Sequence, residues 1–346
     1  MSFKTHKKTF RIASIVAAGL VFAASGAVQA QSILEKVKAR GYVSCGASQG
    51  VPGLSRPDEK GEWVGFDVEI CRSIAVAVFG DKSKARFVPL NAAQRLPAVQ
   101  TGEIDVLSRT TTLTYERDLG VRFVDKYLID SDALLVKKSS RIKDKKGLKN
   151  LTVCLQGGGS LVEKALDSMD KKDGIPMKRV YFDSTIQARD AYFAGRCDSY
   201  ITDGLAAAGQ RAASKNPDDH LLIYSSQNKE ALGVAVSRGD DKWFDIVRWS
   251  LNTLHWAEEE GITKANVDDK LANGSPAIKK VLGAEAGWGK KIGLDDKWAY
   301  NIIKQLGNYG EIFENNLGSN SPLKATRGLN NNYEKGGLMF AYPMSY

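Results

Sequence analysis

Two distant segments carry the same punctuation, and this repeat limits the possible folds more than any other feature of the chain. Ala98-Val-Gln-Thr-Gly-Glu-Ile-Asp-Val-Leu-Ser-Arg-Thr110 lines up with Ala191-Tyr-Phe-Ala-Gly-Arg-Cys-Asp-Ser-Tyr-Ile-Thr-Asp203. Each reads as a helix end, a glycine cap, a strand with an early Asp, and a polar residue just past the strand. Only Ala, Gly and Asp are shared at fixed places, which points to duplicated architecture rather than duplicated chemistry. Two similar lobes follow, each presenting the carboxyl end of a strand, where open α/β sheets bind ligands. A cleft between lobes requires the chain to cross it more than once. The extended apolar segments Ala133–Lys137 and Leu232–Ser237 are the expected crossings. The first lobe is then split into residues 31–133 and 237–346, around a second lobe at 134–236, with a two-segment hinge.

Around the repeat, short apolar strands alternate with amphipathic helices, so the fold class is α/β with largely parallel sheets. A strand at Tyr42–Gly46 precedes a helix whose Ile70, Cys71, Ile74, Ala75, Val78 and Phe79 share one face; Asp67 is its expected cap and Gly80 its stop. A helix over Asn91–Thr101 should bend at Pro97. Strands are expected at Ile104–Ser108 and Leu151–Leu155.

Residues 1–30 read as an export leader: Lys4, Lys7, Lys8 and Arg11 with no acid, an apolar stretch from Ile12 to Ala24, then Val28-Gln29-Ala30 before cleavage. That apolar stretch is shorter than the roughly 20 residues of a membrane span. Losing those four basic residues takes the formal charge from +9 to +5. Lys137 to Lys149 concentrates the excess without an aromatic residue to stack a base, so it reads as a solvated crossing between lobes and not as a nucleic-acid site.

In an exported chain, four cysteines read as disulfides. Of three possible pairings, Cys45 with Cys71 and Cys154 with Cys197 keep each bond inside one lobe; four buried thiols are the alternative. No CxxC spacing occurs and the histidines are scattered at positions 6, 220 and 255, so no metal is expected.

Arg109-Thr-Thr-Thr-Leu-Thr-Tyr-Glu-Arg117 follows a strand and opens a helix. With Thr114 as cap, Arg117 sits in the first turn, where a cation opposes the helix dipole at a cost of about 0.3 to 1 kcal/mol. A carboxylate gripped by Arg117 and the nearby N–H groups would offset that, while pairing with Glu116 or Asp118 is the plainer alternative. Gly157-Gly-Gly-Ser160 separates a strand from a helix. Leu161 replaces the Lys of a phosphate loop and Val162 the third Gly of a dinucleotide fingerprint, which excludes both. Ser160 and Glu163 have the spacing of a capping box, compatible with a backbone N–H facing the cleft. Asp203 holds the place in the second lobe that Thr110 holds in the first. Opposite Arg117, it makes a charge-separated pair suited to a zwitterion; helix capping is its alternative role.

The stretches CGASQGVPGLSRPDEKGEWVGFDVEIC, PLNAAQRLPAVQTGEIDVLSRTTTLTYERD, YFAGRCDSYITDG, KNPDDH, DDKWFDIVRW, NYGEIFENN and KGGLMFAYP resemble the general L-amino-acid-binding branch of the polar amino acid receptors, from about Ser32 to Pro343. The resemblance implies a two-lobed periplasmic-binding-protein fold of type II, and a periplasmic, monomeric receptor without a cofactor. Such a receptor captures L-amino acids and delivers them to the permease subunits of an ABC importer. It also implies that Arg117, Thr112 and the glycine-rich helix start, through Gly159 or Ser160, hold the ligand carboxylate. Asp203 and Thr110 would hold the ammonium. Relatives carry threonines where Gly158, Gly159 and Ser160 stand, often an aromatic ring at the position of Ala92, and in basic-residue binders an acid near Ser48 and a Tyr near Val51. Ser48 is thus expected to line a pocket with no aromatic shelf and no fixed counter-charge, and so of broad specificity. Two other readings share the fold: a periplasmic enzyme such as a cyclohexadienyl dehydratase, and a ligand-loaded sensor partner without transport. The aromatic-rich tail, Trp288, Trp298, Tyr309, Phe313, Phe340 and Tyr342, is expected to pack around the first lobe.

Overall fold

Two five-stranded sheets with matching strand orders account for the repeat. The computed structural model describes residues 1–4, 31–225 and 230–345, so nearly all of the expected leader lies outside the described residues. From Ser32 onward the chain forms one compact unit. Its first sheet runs Ala85–Pro89, Val43–Ala47, Val106–Thr112, Glu230–Val236, Arg122–Asp130. Its second runs Lys178–Phe182, Thr152–Gln156, Ser199–Asp203, Asp132–Lys137, His220–Tyr224. Each sheet has a single antiparallel strand, in each case the one that arrives from the other lobe.

The two copies of the repeat are the third strands of their sheets. Gly102 and Gly195 both adopt left-handed φ, 77° and 80°. Asp105 accepts the Ser44 N–H at 2.7 Å, and Asp198 the Thr152 N–H at 2.8 Å, so each early Asp ties its strand to the second strand of its own sheet. The shared aspartates are therefore framework, while the residues past the strand ends carry what differs.

Several sequence expectations are corrected. The chain leaves the first sheet at Ser131 and is back in it by Glu230, so Ala133–Lys137 lies within the second sheet and Leu232–Val236 within the first. Both segments are interior strands buried on both faces, and such strands read as unbroken apolar runs. The basic run from Lys138 to Lys149 forms surface turns within the second lobe and does not cross between lobes. Asp67 does not cap its helix: Phe66–Phe79 starts from Gly65, and the Asp67 carboxylate is buried against Tyr127. The helix around Pro97 begins only at Arg95, which puts the proline in the first turn, where its missing N–H breaks no helical bond. The helix after the glycine loop starts at Val162 with no side-chain cap, so Ser160 and Glu163 form no capping box.

Disulfides join Cys45 to Cys71 and Cys154 to Cys197, with Cα separations of 6.4 and 5.7 Å. Each closes inside one lobe and contributes about 3 to 4 kcal/mol by restricting the unfolded chain. The larger core gathers on the first lobe, where helices Asp241–Glu259, Trp298–Leu306 and Tyr309–Asn316 pack on Phe66–Phe79 and bury Trp243, Trp298, Tyr309 and Phe313. Phe340 departs from that pattern and stays 44% exposed. Beyond these helices, the Asn330 side chain accepts from the Ile129 N–H at 2.6 Å and donates to the Ile129 carbonyl at 2.9 Å, closing the edge of the first sheet at the hinge.

Candidate ligand-binding site

Arg117 enters the groove from a short helix, Tyr115–Gly120, whose cap Thr114 accepts the Arg117 N–H at 3.3 Å. Its guanidinium donates to the Thr112 carbonyl at 2.8 Å and, across the groove, to the Gly159 carbonyl of the second lobe at 2.7 Å. The lobes therefore meet here, and at other points. A Cβ on Gly158 would sit 3.1 Å from the Ala93 Cβ, and one on Gly209 would strike the Pro52 carbonyl. With φ of 86° and 87° at Gly158 and Gly159, a threonine-bearing loop would be strained, which explains why glycines stand there.

Thr110 ends the first copy of the repeat in a strained conformation. Its φ is 35°, rare for a β-branched residue. The Tyr127 hydroxyl accepts the Thr110 N–H at 2.8 Å and donates to Asp67 at 2.6 Å, fixing that geometry from below. Arg95 and Arg109 are buried beside it, Arg95 reaching the Thr110 carbonyl at 3.5 Å and Arg109 the Leu90 carbonyl at 2.8 Å. Burial holds the pKa of each of the three arginines below its usual value, Arg95 most of all. Ser48 is buried, and its hydroxyl lies 2.5 Å from that of Ser55.

Asp203 ends the second copy. The helix Gly204–Ala212 takes no cap bond from it; Asp130, at the end of the last strand before the hinge, accepts the Leu205 N–H at 2.9 Å instead. Asp203 thus keeps its carboxylate for the groove, where Asp132 and Glu230 join it. Carboxylate oxygens of the three lie within 4.8 Å of one another. Asp132 is the ladder partner of Asp203, and Glu230 opens the return strand. Burial, and then the charges of Asp203, Asp132 and Asp130, push the Glu230 carboxyl up to about 10. Burial also raises Asp203, against the pull of Arg95 and Arg109.

The site thus has two poles. Arg117 marks one and three acids mark the other, and the attraction of Asp203 and Glu230 for Arg117 is felt across the gap, while the buried Arg95 and Arg109 act on Asp203 more strongly than Arg117 does. The structure brings Arg117 to Thr112 and Gly159, and sets Asp203 beside Asp132 and Glu230; Asp132, Glu230 and Arg95 are not among the residues that the sequence singles out. Asp132 and Glu230 each stand immediately before an all-apolar run, a legible signal once those runs are read as strands starting at the cleft. His220 bonds the Tyr192 hydroxyl and His255 lies against Tyr309 at a tilt of 32°, both away from the groove.

Residues 43–264 match the bacterial extracellular solute-binding proteins, family 3. The chain is 44% identical over 336 residues to a general L-amino acid-binding periplasmic protein of Rhizobium johnstonii, covering 96% of this chain and 98% of that one. A glutamate/glutamine/aspartate/asparagine-binding protein of Rhodobacter capsulatus is 40% identical over 97% of this chain and 99% of its own. Among solved structures, a periplasmic binding protein of an ABC transporter from Brucella ovis, with glutathione bound, superposes with a TM-score of 0.87 at 43% identity. It covers 91% of this chain and 99% of that one.

Proposed function

The chain belongs to the bacterial extracellular solute-binding proteins, family 3, and on that premise we propose that it is a periplasmic receptor that captures L-amino acids of several side-chain types by lobe closure and delivers them to an ABC permease. The observation that carries this reading is the pair of opposite poles: Arg117 on the first lobe faces Asp203, Asp132 and Glu230 at the second lobe and hinge. A free zwitterion offers the complementary charges at the matching ends. In this assignment Arg117 makes two parallel bonds to the ligand carboxylate, which takes the place of the Gly159 carbonyl. Thr112 and the N–H groups near Gly159 and Ser160 complete that end, and Asp203 with Thr110 receives the ammonium.

Breadth of specificity is supported by what surrounds the side-chain end. Ala92 offers no ring, and the Ser48 hydroxyl is engaged with Ser55. The two disulfides support an oxidising compartment. A thermal-shift screen of ligand-stripped protein against the twenty amino acids and glutathione tests the reading, because stabilisation grows with ligand concentration over Kd. Stabilisation by several amino acids is the expected result; a flat response to all of them rejects it.

A further inference from the structure

The helix Gly204–Ala212 opens immediately after Asp203 and packs on both lobes. One side lies on the strands of the second sheet, while Ala206 and Leu205 join the apolar cluster of the first lobe, together with Leu323. Gly209 brings this helix against the loop after the first strand, so closely that a Cβ there would strike the Pro52 carbonyl. Leu323 closes the junction from the C-terminal side. A Cβ on Gly53 would meet its two methyl groups at 3.0 and 3.1 Å, and one on Gly209 would meet it at 3.6 Å.

Leu323 sits at the tip of a loop tied to the first lobe. At the base of the loop the Ala325 N–H donates to the Leu317 carbonyl at 2.9 Å. Just beyond, Arg327 makes two 3.1 Å bonds to Glu258 and lies over the Tyr309 and Phe313 rings, 5.1 Å from each, and Asn330 holds Ile129. The loop lies past residue 264, outside the segment that matches the family. Arg117 spans the groove to Gly159 at the same time, so these contacts belong to the arrangement with the lobes together. Resting on the receptor reading above, we propose that Leu323 is a positioning residue that latches the Asp203 helix to the first lobe and slows the release of a captured ligand. Opening the groove carries the helix away from the loop and returns the apolar surface of Leu205, Ala206 and Leu323 to water, which adds to the barrier for release. The latch acts on the helix and not on the side-chain end of the groove, so its effect is the same for every amino acid bound.

A filter-binding chase of a radiolabelled amino acid, the one that binds tightest in the screen, measures release directly. Leu323→Ala should speed release about tenfold and raise Kd by the same factor for each amino acid bound, with the association rate unchanged. Leu323→Met, close in volume, should restore the wild-type rate. Gly209→Ala tests the other side of the junction: it improves helix propensity, yet its methyl group meets the Pro52 carbonyl, so it too should release ligand faster. A variant that is only less stable lowers the urea midpoint and the fraction of molecules that bind, and leaves the release rate of those molecules unchanged. A wild-type release rate in Leu323→Ala therefore overturns the proposal and leaves the receptor reading standing; where that variant does not fold, the rate in Gly209→Ala decides in the same way. Failure of every amino acid to bind the wild-type protein overturns the receptor reading, and this proposal with it.

Discussion

At the scale of single residues, the groove depends on side chains whose energies are large because they are buried. Each charge-assisted bond from Arg117 to a carboxylate is worth about 1.5 to 3 kcal/mol. Arg117→Ala is therefore expected to weaken binding at least tenfold for every amino acid bound, as calorimetry will measure; Arg117→Lys keeps the charge but loses the two-pronged geometry and should recover only part. Beneath it, the Tyr127 hydroxyl holds Thr110 in a conformation that costs about 1 to 3 kcal/mol when unsupported. Tyr127→Phe leaves the Thr110 N–H and the Asp67 carboxyl without their partner. The expected loss is about 2 kcal/mol of stability in urea unfolding, together with weaker ligand binding. Arg117 and Asp203 were legible in the sequence because each ends a recognisable strand-to-helix turn. Asp132 and Glu230 were not, because the apolar runs that they precede read as crossings between lobes and not as interior strands.

Among the elements, the repeat was the most informative feature, and its physical content is now clear: one glycine reverses the chain and one aspartate pins the third strand to the second in each lobe. Strand and helix identities follow from periodicity, whereas the hinge positions do not, because an interior strand and an apolar crossing look alike in one dimension. Pro97 shows the same limit: whether a proline bends a helix depends on where the helix starts, and here it starts at Arg95. The glycine loop gives an element-level prediction. Gly158→Ala places a methyl group against Ala93 at a left-handed φ, so closure over ligand should be impaired. Ligand affinity is expected to fall several-fold, and small-angle scattering with saturating ligand should show a larger radius of gyration than for the wild-type protein.

For the whole molecule, the groove couples stability to pH in an unusual direction. Burial raises Asp67 and Asp130 to about 8 and Glu230 to about 10, so these groups hold protons in the folded chain that the unfolded chain releases above about pH 4 to 5. Their folded pKa values lie above the unfolded ones, so their contribution is complete below about pH 4 and is lost as pH climbs to about 8 for the two aspartates and about 10 for Glu230. Ligand-free protein should accordingly be more stable near pH 5 than near pH 8, by at least about 1 kcal/mol in denaturant titrations, and saturating amino acid should narrow that difference. The placement of the disulfides has a mechanical corollary. Each bond links parts of one lobe, and neither bridges the groove. Thiol reduction would loosen the walls that grip a captured molecule but leave the travel of the jaws untouched, so a reduced sample should release its cargo faster without opening any wider.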